Sequence, residues 1–365
     1  MDKMKIGNRI IQLFKRRLIT TFRNHLYPYS LSLGFIFFIL LSLPSLAQDI
    51  HFSQEGRSPL NLNPAETGDF KADHRIVANY RNQWASVTVP YKTFSASYEN
   101  LQKSPWGIPG NVGLGLLFNS DVAGDGNFGT VQVKFSLAYQ YLNLLDSTLN
   151  LSLGMNVGYN QHSLDFHQLY FDNQYNGSQF DPNRQTNENF SGEQFSYIDF
   201  SLGFKANYII NKKVPVYLGL VLNHLNRPSQ SFYGNKLNNL EGKFNSYLAA
   251  EYPLSKYWTV IPSVYYYHQG TYDELFYGLM LEKELNNISF RTINFGLTNR
   301  SGDAVIFRLG FEYQSFDIGL SYDYNYSSLK VASNGVGAFE ISIIYLLFNP
   351  TRYERVYNRQ CPVFM

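Results

Sequence analysis

The chain predicts an all-β protein: a transmembrane antiparallel outer-membrane β-barrel of about fourteen strands, following a cleaved signal peptide. Three observations predict it. The first is a two-residue alternation, seen most clearly from Asn150 to Asn160, where Leu151, Leu153, Met155, Val157 and Tyr159 share one register and Ser152, Gly154, Asn156 and Gly158 the other. Successive strand side chains project to opposite faces, so such a run has one apolar and one polar side. The second is composition. Charged residues make up 16% of the chain, below the ~25% usual in soluble domains, and 29 Tyr, 29 Phe and 3 Trp can populate two interfacial girdles. The third is the placement of charges within strands. Lys134, Asp199, Lys205, Arg308, Glu312, Asp323 and Glu340 all fall on the polar register of their runs. A Lys or Arg facing lipid at mid-membrane costs about 2–4 kcal/mol, so the polar side is expected to face inward.

Residues 1–47 read as a signal peptide. Lys3, Lys5, Arg9, Lys15, Arg16, Arg17 and Arg23 form a basic n-region, Leu31 to Leu43 an apolar core, and Ser45-Leu-Ala47 the small residues that signal peptidase requires. Cleavage is expected between Ala47 and Gln48. An uncleaved anchor is the competing reading, but the apolar run is short for a span. No Cys stands at the cleavage point, which argues against a lipoprotein. Without this segment 23 basic and 27 acidic residues remain, a net charge of about −4, and nothing in the chain asks for nucleic acid. The single Cys361 excludes an internal disulfide framework.

Residues 48–73 follow as an irregular segment. Pro59, Pro64 and the Asn residues between them read as a rigid, extended entry. It is expected to pack into the barrel as a plug or belt, with a periplasmic docking strand as the alternative. The barrel proper is expected over 74–348. Its strands fall near 74–84, 92–100, 111–120, 130–143, 147–160, 193–210, 214–223, 245–253, 257–267, 275–285, 289–299, 303–314, 316–325 and 337–346. Fourteen is an even number, as single-chain bacterial barrels require. No stretch after residue 47 approaches eighteen apolar residues, so helical spans are excluded. Leu145-Asp-Ser-Thr148 reads as a tight turn. The two longest breaks, 161–192 and 224–244, follow the fifth and seventh strands, where outward loops belong if both termini are periplasmic. Residues 349–365 form a periplasmic tail carrying Arg352, Arg355 and Arg359 against Glu354.

Several short motifs together resemble the PorP/SprF family, outer-membrane proteins of the type IX secretion and gliding machinery of Bacteroidota. They are Asp49-Ile-His-Phe-Ser-Gln54, Ser58-Pro-Leu-Asn-Leu-Asn-Pro-Ala65, Thr67-Gly68, Asn79-Tyr-Arg-Asn-Gln-Trp84 and Tyr91-Lys-Thr-Phe-Ser-Ala-Ser-Tyr98. Tyr197-Ile-Asp-Phe-Ser-Leu-Gly203, His224-Leu-Asn-Arg-Pro228, Gly319-Leu-Ser-Tyr-Asp323 and Glu340-Ile-Ser342 continue the match. The tail Cys361-Pro-Val-Phe364 resembles the family's Cys-Pro-Arg-Phe ending, with Val363 in place of the Arg. The resemblance implies protein partners: the periplasmic ring and motor for some members, a secreted adhesin for others.

Candidate partner-binding residues are His224, Arg227 and Pro228 at the start of one long break, and Arg352, Arg355, Cys361, Pro362 and Phe364 in the tail. Arg227 reads equally as a snorkelling side chain at the headgroups. A polar lumen network is expected around Arg81. His162-Ser163 with Asp165 and His167 invites a hydrolase or metal reading. Adjacent strand residues point apart, however, so His162 and Ser163 do not cooperate if the strand continues that far. Asp121-Val-Ala-Gly-Asp-Gly126 lacks the spacing and final Glu of a calcium loop and reads as a glycine turn. No cofactor or metal is expected. The sequence therefore points to a non-enzymatic barrel that contacts outer-membrane lipid and binds either secreted cargo with a type IX sorting domain or periplasmic secretion-system proteins. A passive or solute-specific pore is the alternative.

Overall fold

A computed structural model describes residues 49–349 apart from 88, 104–106, 108, 189, 235–237, 288 and 329. The expected cleavage site at Ala47 and Gln48 lies outside the described residues, as do Arg352, Arg355, Cys361, Pro362 and Phe364 in the tail.

The alternating runs form β1 (His74–Gln83), β2 (Tyr91–Lys103), β3 (Asn111–Ala123), β4 (Phe128–Asn143), β5 (Leu149–Ser163), β6 (Gln194–Ile210) and β7 (Val214–Asn223). β8 is built of two pieces, Lys243–Ala250 and Tyr252–Pro253, both paired with the following strand and interrupted at Glu251. Then come β9 (Trp258–Gln269), β10 (Tyr272–Glu284), β11 (Phe290–Arg300), β12 (Ala304–Tyr313), β13 (Phe316–Asn325) and β14 (Val336–Leu347). Each strand pairs antiparallel with its sequence neighbours, and β1 pairs with β14 as well as β2. The result is a closed barrel of fourteen strands, one at each position the alternation predicts. Closure satisfies every ladder and leaves no unpaired edge for lipid to meet.

Register decides which face each side chain takes. In β4, Val131, Val133, Phe135, Leu137 and Tyr139 are exposed on the outside, while Gln132, Ser136, Ala138 and Gln140 are buried inside. The strand charges follow suit: Asp199, Lys205, Asp323 and Glu340 are all buried on the inner face. Among the described residues no helix is long and apolar enough to cross a membrane.

Both the start of β1 and the end of β14 lie at one end of the barrel, where His74 pairs with Leu347. The turns at that end are short. Asn211-Lys212, both with positive φ, reverses the chain between β6 and β7. Leu144–Ser147 forms a single helical turn between β4 and β5, where the sequence suggested a tight turn. The opposite end carries the two long connections, 164–193 and 224–242.

Inside runs the segment from Ile50 to Asp73. Residues 51–54 meet the wall in the half nearer the long loops, beside Arg81, Arg300 and Asp323. The chain then descends through a helical turn at Pro59–Leu62 and leaves at the short-turn end, where the Asp73 N–H donates to the Leu347 carbonyl at 3.0 Å. Its backbone lies directly on the wall. A Cβ added at Gly154 would fall 2.3 Å from the Pro64 carbonyl carbon, and one at Gly113 would fall 2.1 Å from the Thr67 oxygen. Leu62 joins Tyr247, Tyr265, Tyr267, Phe276 and Ile306 in an apolar cluster inside a lumen lined mostly by polar residues.

Candidate functional site

Residues of most of the sequence motifs converge on the surface where the lumenal segment meets the wall. Near the long loops, the Glu340 carboxylate accepts the backbone N–H of Ser53 at 2.7 Å and of Gln54 at 3.2 Å. One Asp323 oxygen accepts the Ser53 hydroxyl at 2.6 Å and Arg300 Nη2 at 2.9 Å, with Arg81 Nη2 3.5 Å away. Arg81 Nη1 donates to the His51 carbonyl at 2.7 Å, and Arg308 reaches the Ser53 carbonyl. Arg57 pairs with Asp317 at 2.6 Å, and its carbonyl accepts the Asn79 amide at 3.2 Å. Burying Arg81 and Arg300 among carboxylates is tolerable only because almost every charge meets an opposite charge or a backbone dipole.

Lower down, Asn61 donates to Ser95 and Asn119, and Asn63 to the Phe204 carbonyl at 3.0 Å. The Arg75 guanidinium meets Glu99 through two parallel contacts, 2.7 and 2.8 Å, and also holds the Glu66 carbonyl at 3.1 Å. Fork-to-fork pairing of this kind gives geometry as well as energy. Lys205 bridges the Glu66 and Asp69 carboxylates at 2.5 Å each. Burial pushes the Asp69 carboxyl up, but Lys205 and Arg75 outweigh it and hold it below the usual carboxylate range. Among the described residues no cation pairs with Glu55 at contact distance. Burial drives its pKa up to about 7, against a hydrogen bond from Tyr267 that lowers it.

The second surface is the loop face. His224, at the start of a long loop, is buried and its Nδ1 lies 2.9 Å from Asp199 Oδ2. Both His224 and Arg227 have positive φ, which folds His224-Leu-Asn-Arg-Pro228 back over β6. There Leu225 N–H donates to the Phe200 carbonyl at 3.0 Å and Asn226 to the Ile198 carbonyl at 2.7 Å. Of the three residues singled out in this motif, His224 and Pro228 are therefore buried, and Arg227 is exposed. Above the motif the two long loops share an aromatic cluster. Phe166 stacks on Phe190 at 3.6 Å, and Phe232 packs edge-on against Phe166 and Phe195. The Ser191 N–H donates to the Phe232 carbonyl at 2.8 Å, tying one loop to the other.

His162 belongs to this inner cluster. Its ring stacks on Phe128 and Phe195 and lies 3.0 Å from the Thr130 hydroxyl and 3.2 Å from that of Tyr197. β5 continues through Ser163, so the two residues occupy opposite registers. His167 is an exposed loop residue facing Glu193 at 3.6 Å. Among the described residues no group of three or more His, Cys, Asp or Glu could hold a metal ion. Asp121 is not a loop residue: β3 extends to Ala123, and Thr93 donates to Asp121 at 2.5 Å.

Sequence reading missed Arg75, Glu99 and the inward tyrosines Tyr247, Tyr265 and Tyr267. Arg75 and Glu99 do carry a legible signal, since each stands on the polar register of its strand. Tyr265-Tyr-Tyr267 offers none, because a run of one residue type does not alternate.

Among solved structures, the toluene transporter TbuX of Ralstonia pickettii aligns over 80% of this chain and 94% of its own, at 11% identity and a TM-score of 0.49. A FadL homologue of Pseudomonas aeruginosa aligns over 79% and 94%, at 10% identity and a TM-score of 0.46. The translocator domain of the autotransporter NalP from Neisseria meningitidis aligns over 80% and 94%, at 13% identity and a TM-score of 0.42. No curated protein matches the chain. The profile of the family described as type IX secretion system membrane protein PorP/SprF matches residues 45–345. With that match spanning the lumenal segment and all but the end of β14, the chain belongs to the PorP/SprF family of type IX secretion system membrane proteins and is an outer-membrane barrel.

Proposed function

We propose that this type IX component works as a filled scaffold that binds proteins, and that it neither conducts solute nor catalyses a reaction. The observation that carries the reading is the anchoring of residues 51–69 to the inner wall, by hydrogen bonds to Glu340, Asp323 and Arg81 at one level and, at another, by a hydrogen bond from the Gly68 N–H to Glu99 and the ion pairs of Lys205 with Glu66 and Asp69. Each buried pair is costly to break once formed, because removing one partner strands the other in a poorly solvated interior. A segment held this way suits a rigid support better than a gate.

Binding then falls to the two ends. The loop face, where 164–193 and 224–242 are tied together around aromatic side chains, engages exported cargo such as an adhesin with a type IX sorting domain. Its exposed elements include Arg227, Leu225, Tyr170 and Tyr233. The short-turn end, together with the tail from residue 350, faces periplasmic secretion-system proteins. A role in gliding motility follows if the cargo is a motility adhesin.

Planar-bilayer conductance tests the reading. Purified protein is expected to insert with almost no conducting steps, whereas regular, solute-dependent steps would favour a pore. Affinity capture from cell envelopes is the complement. Replacing 224–242 with a short glycine-serine turn is expected to lose surface cargo and keep periplasmic partners, and truncation before residue 350 to do the reverse.

A further inference from the structure

The outer wall at the short-turn end carries an arc of cations that the protein-binding reading does not use. Lys212 and Lys213 are exposed in the β6–β7 turn, Lys256 in the β8–β9 turn, and Arg291 at the start of β11. Lys283 stands on the outward register of β10, directly opposite Trp258 in β9, with its ammonium 5.1 Å from the centre of the indole. Lys256 lies 5.1 Å over the ring of Tyr257. Apart from Glu312, which interacts electrostatically with Arg291, the acidic residues nearby do not answer these charges. Glu282 and Glu284 alternate with Lys283 and so face inward, and Glu251 accepts the hydroxyl of Tyr217 at 2.7 Å.

At the other end of β9 to β12 the pattern is reversed. The β9–β10 turn, residues 270–271, is followed at once by Asp273 in β10, the β11–β12 turn, residues 301–303, contains Asp303, and neither turn has a lysine or arginine. Along β9 to β12 the half-buried Lys283 and the exposed Arg291 thus lie toward the short-turn end. They also sit beside exposed apolar wall: Leu254, Tyr252 and Leu279 are each more than half exposed on the outer surface. Acyl chain and headgroup would meet one continuous surface here. Lysines reach headgroups along their apolar stems, tryptophan and tyrosine settle at the same depth, and clustered cations attract anionic lipid.

We propose that Lys212, Lys213, Lys256, Lys283 and Arg291 form a binding surface for the phosphate headgroups of anionic phospholipid in the periplasm-facing leaflet. The surface holds the barrel at a set depth and orientation about its axis, which presents the loop face and the periplasmic mouth to their partners in fixed register.

Native mass spectrometry of the full chain, released from nanodiscs of phosphatidylglycerol and phosphatidylcholine in equal parts, tests this. The wild-type protein is expected to retain phosphatidylglycerol over phosphatidylcholine by about tenfold. The variant with all five residues changed to Gln should fall to parity, and Lys92→Gln with Lys330→Gln, at the opposite end, should keep the preference. Salt gives a second arm that needs no variant. At about 1 M, where the screening length is about 3 Å, the wild-type preference should vanish. Equal retention by the wild type, or a preference that survives in the five-site variant, overturns the proposal. So does displacement of the lipid by inorganic phosphate at the lipid's own concentration, which marks a simple anion site. Loss of a co-purifying periplasmic protein from the five-site variant, with lipid preference intact, assigns the surface to a protein and overturns the proposal equally.

Discussion

Glu340 in the wall and Ser53 in the lumenal segment are 287 positions apart, yet the Ser53 N–H donates to the Glu340 carboxylate at 2.7 Å. The same carboxylate takes the Gln54 N–H at 3.2 Å and lowers the cost of burying Arg81 beside it. One wall side chain thereby satisfies two backbone donors of a segment with no strand to pair with. Backbone groups buried without partners are rare for the energetic reason that each costs about 1–3 kcal/mol.

Glu340→Ala is therefore expected to destabilise the seating of residues 51–57 by about 3–5 kcal/mol, since it leaves two backbone N–H groups without an acceptor and removes one of the carboxylates near Arg81. Glu340→Gln keeps an acceptor oxygen but not the charge, and should fall between that variant and the wild type. Hydrogen exchange read peptide by peptide checks this. Protection should fall over 51–57 in both variants while the strand ladders of β3 to β6 keep theirs.

Gly154 offers a steric route to the same end. Its ideal Cβ position lies 2.3 Å from the Pro64 carbonyl carbon and 2.4 Å from the Ala65 nitrogen, both main-chain atoms that cannot swing aside. Gly154→Val is expected to displace the Pro64–Glu66 turn, expose 58–66 to protease, and convert a nearly silent barrel into one with conducting steps. A folded Gly154→Val protein that remained silent and protease-resistant would mean the segment seals the lumen without that contact.

Much of this was legible in the sequence, and the limits follow from what alternation encodes. A period of two assigns each residue of a strand to a face, so Lys205, Asp323 and Glu340 could be placed inside before any pairing was known. It does not say what they meet there. Lys205 meets Glu66, 139 positions away, and Asp323 meets Ser53 across 270. Such partners depend on how an irregular segment is threaded, which no local pattern specifies. The abundant tyrosines misled for a related reason. Reckoned as interfacial girdle, they include Tyr247, Tyr265 and Tyr267, which turn inward around Leu62. The motifs from Asp49 to Tyr98 and from Gly319 to Ser342 were informative as a set because they are two sides of one interface, the lumenal segment and the wall that holds it.

The lumenal segment should also respond to pH. Burial raises the Glu55 pKa from 4.5 to about 7. A released segment would titrate near the lower value, so the seated form binds the proton more tightly. The resulting stabilisation is fully present below pH 4.5 and is lost as pH rises to about 7, a change of about 3 kcal/mol at most. Protection factors over 50–57, corrected for intrinsic exchange, are thus expected to be lower at pH 8 than at pH 5. Glu55→Gln, which is neutral throughout, should flatten that dependence. A wild-type profile already flat between pH 5 and 8 would show that Glu55 is not protonated in the seated segment.

The loop motif separates support from recognition within five residues. His224 is buried against Asp199, so His224→Ala strips a buried carboxylate of its partner and should loosen 224–230 from β6 at a cost of about 1–3 kcal/mol. Arg227, three residues on, is exposed, and its own side chain makes no part of that contact; what it contributes is a cation and a positive-φ backbone. Arg227→Ala is expected to leave the protease resistance of the loop unchanged and to weaken capture of cargo, whereas His224→Ala should lower both together. Arg227→Lys discriminates further: it keeps the charge but not the planar fork, so rescue by Lys would mean the partner reads charge alone, and failure of rescue would mean it presents a carboxylate that the guanidinium grips through two bonds. If Arg227→Ala, with its loop intact, captured cargo as well as the wild type, recognition would have to move to the neighbouring exposed aromatics, and Tyr170 and Tyr233 would be the next residues to change.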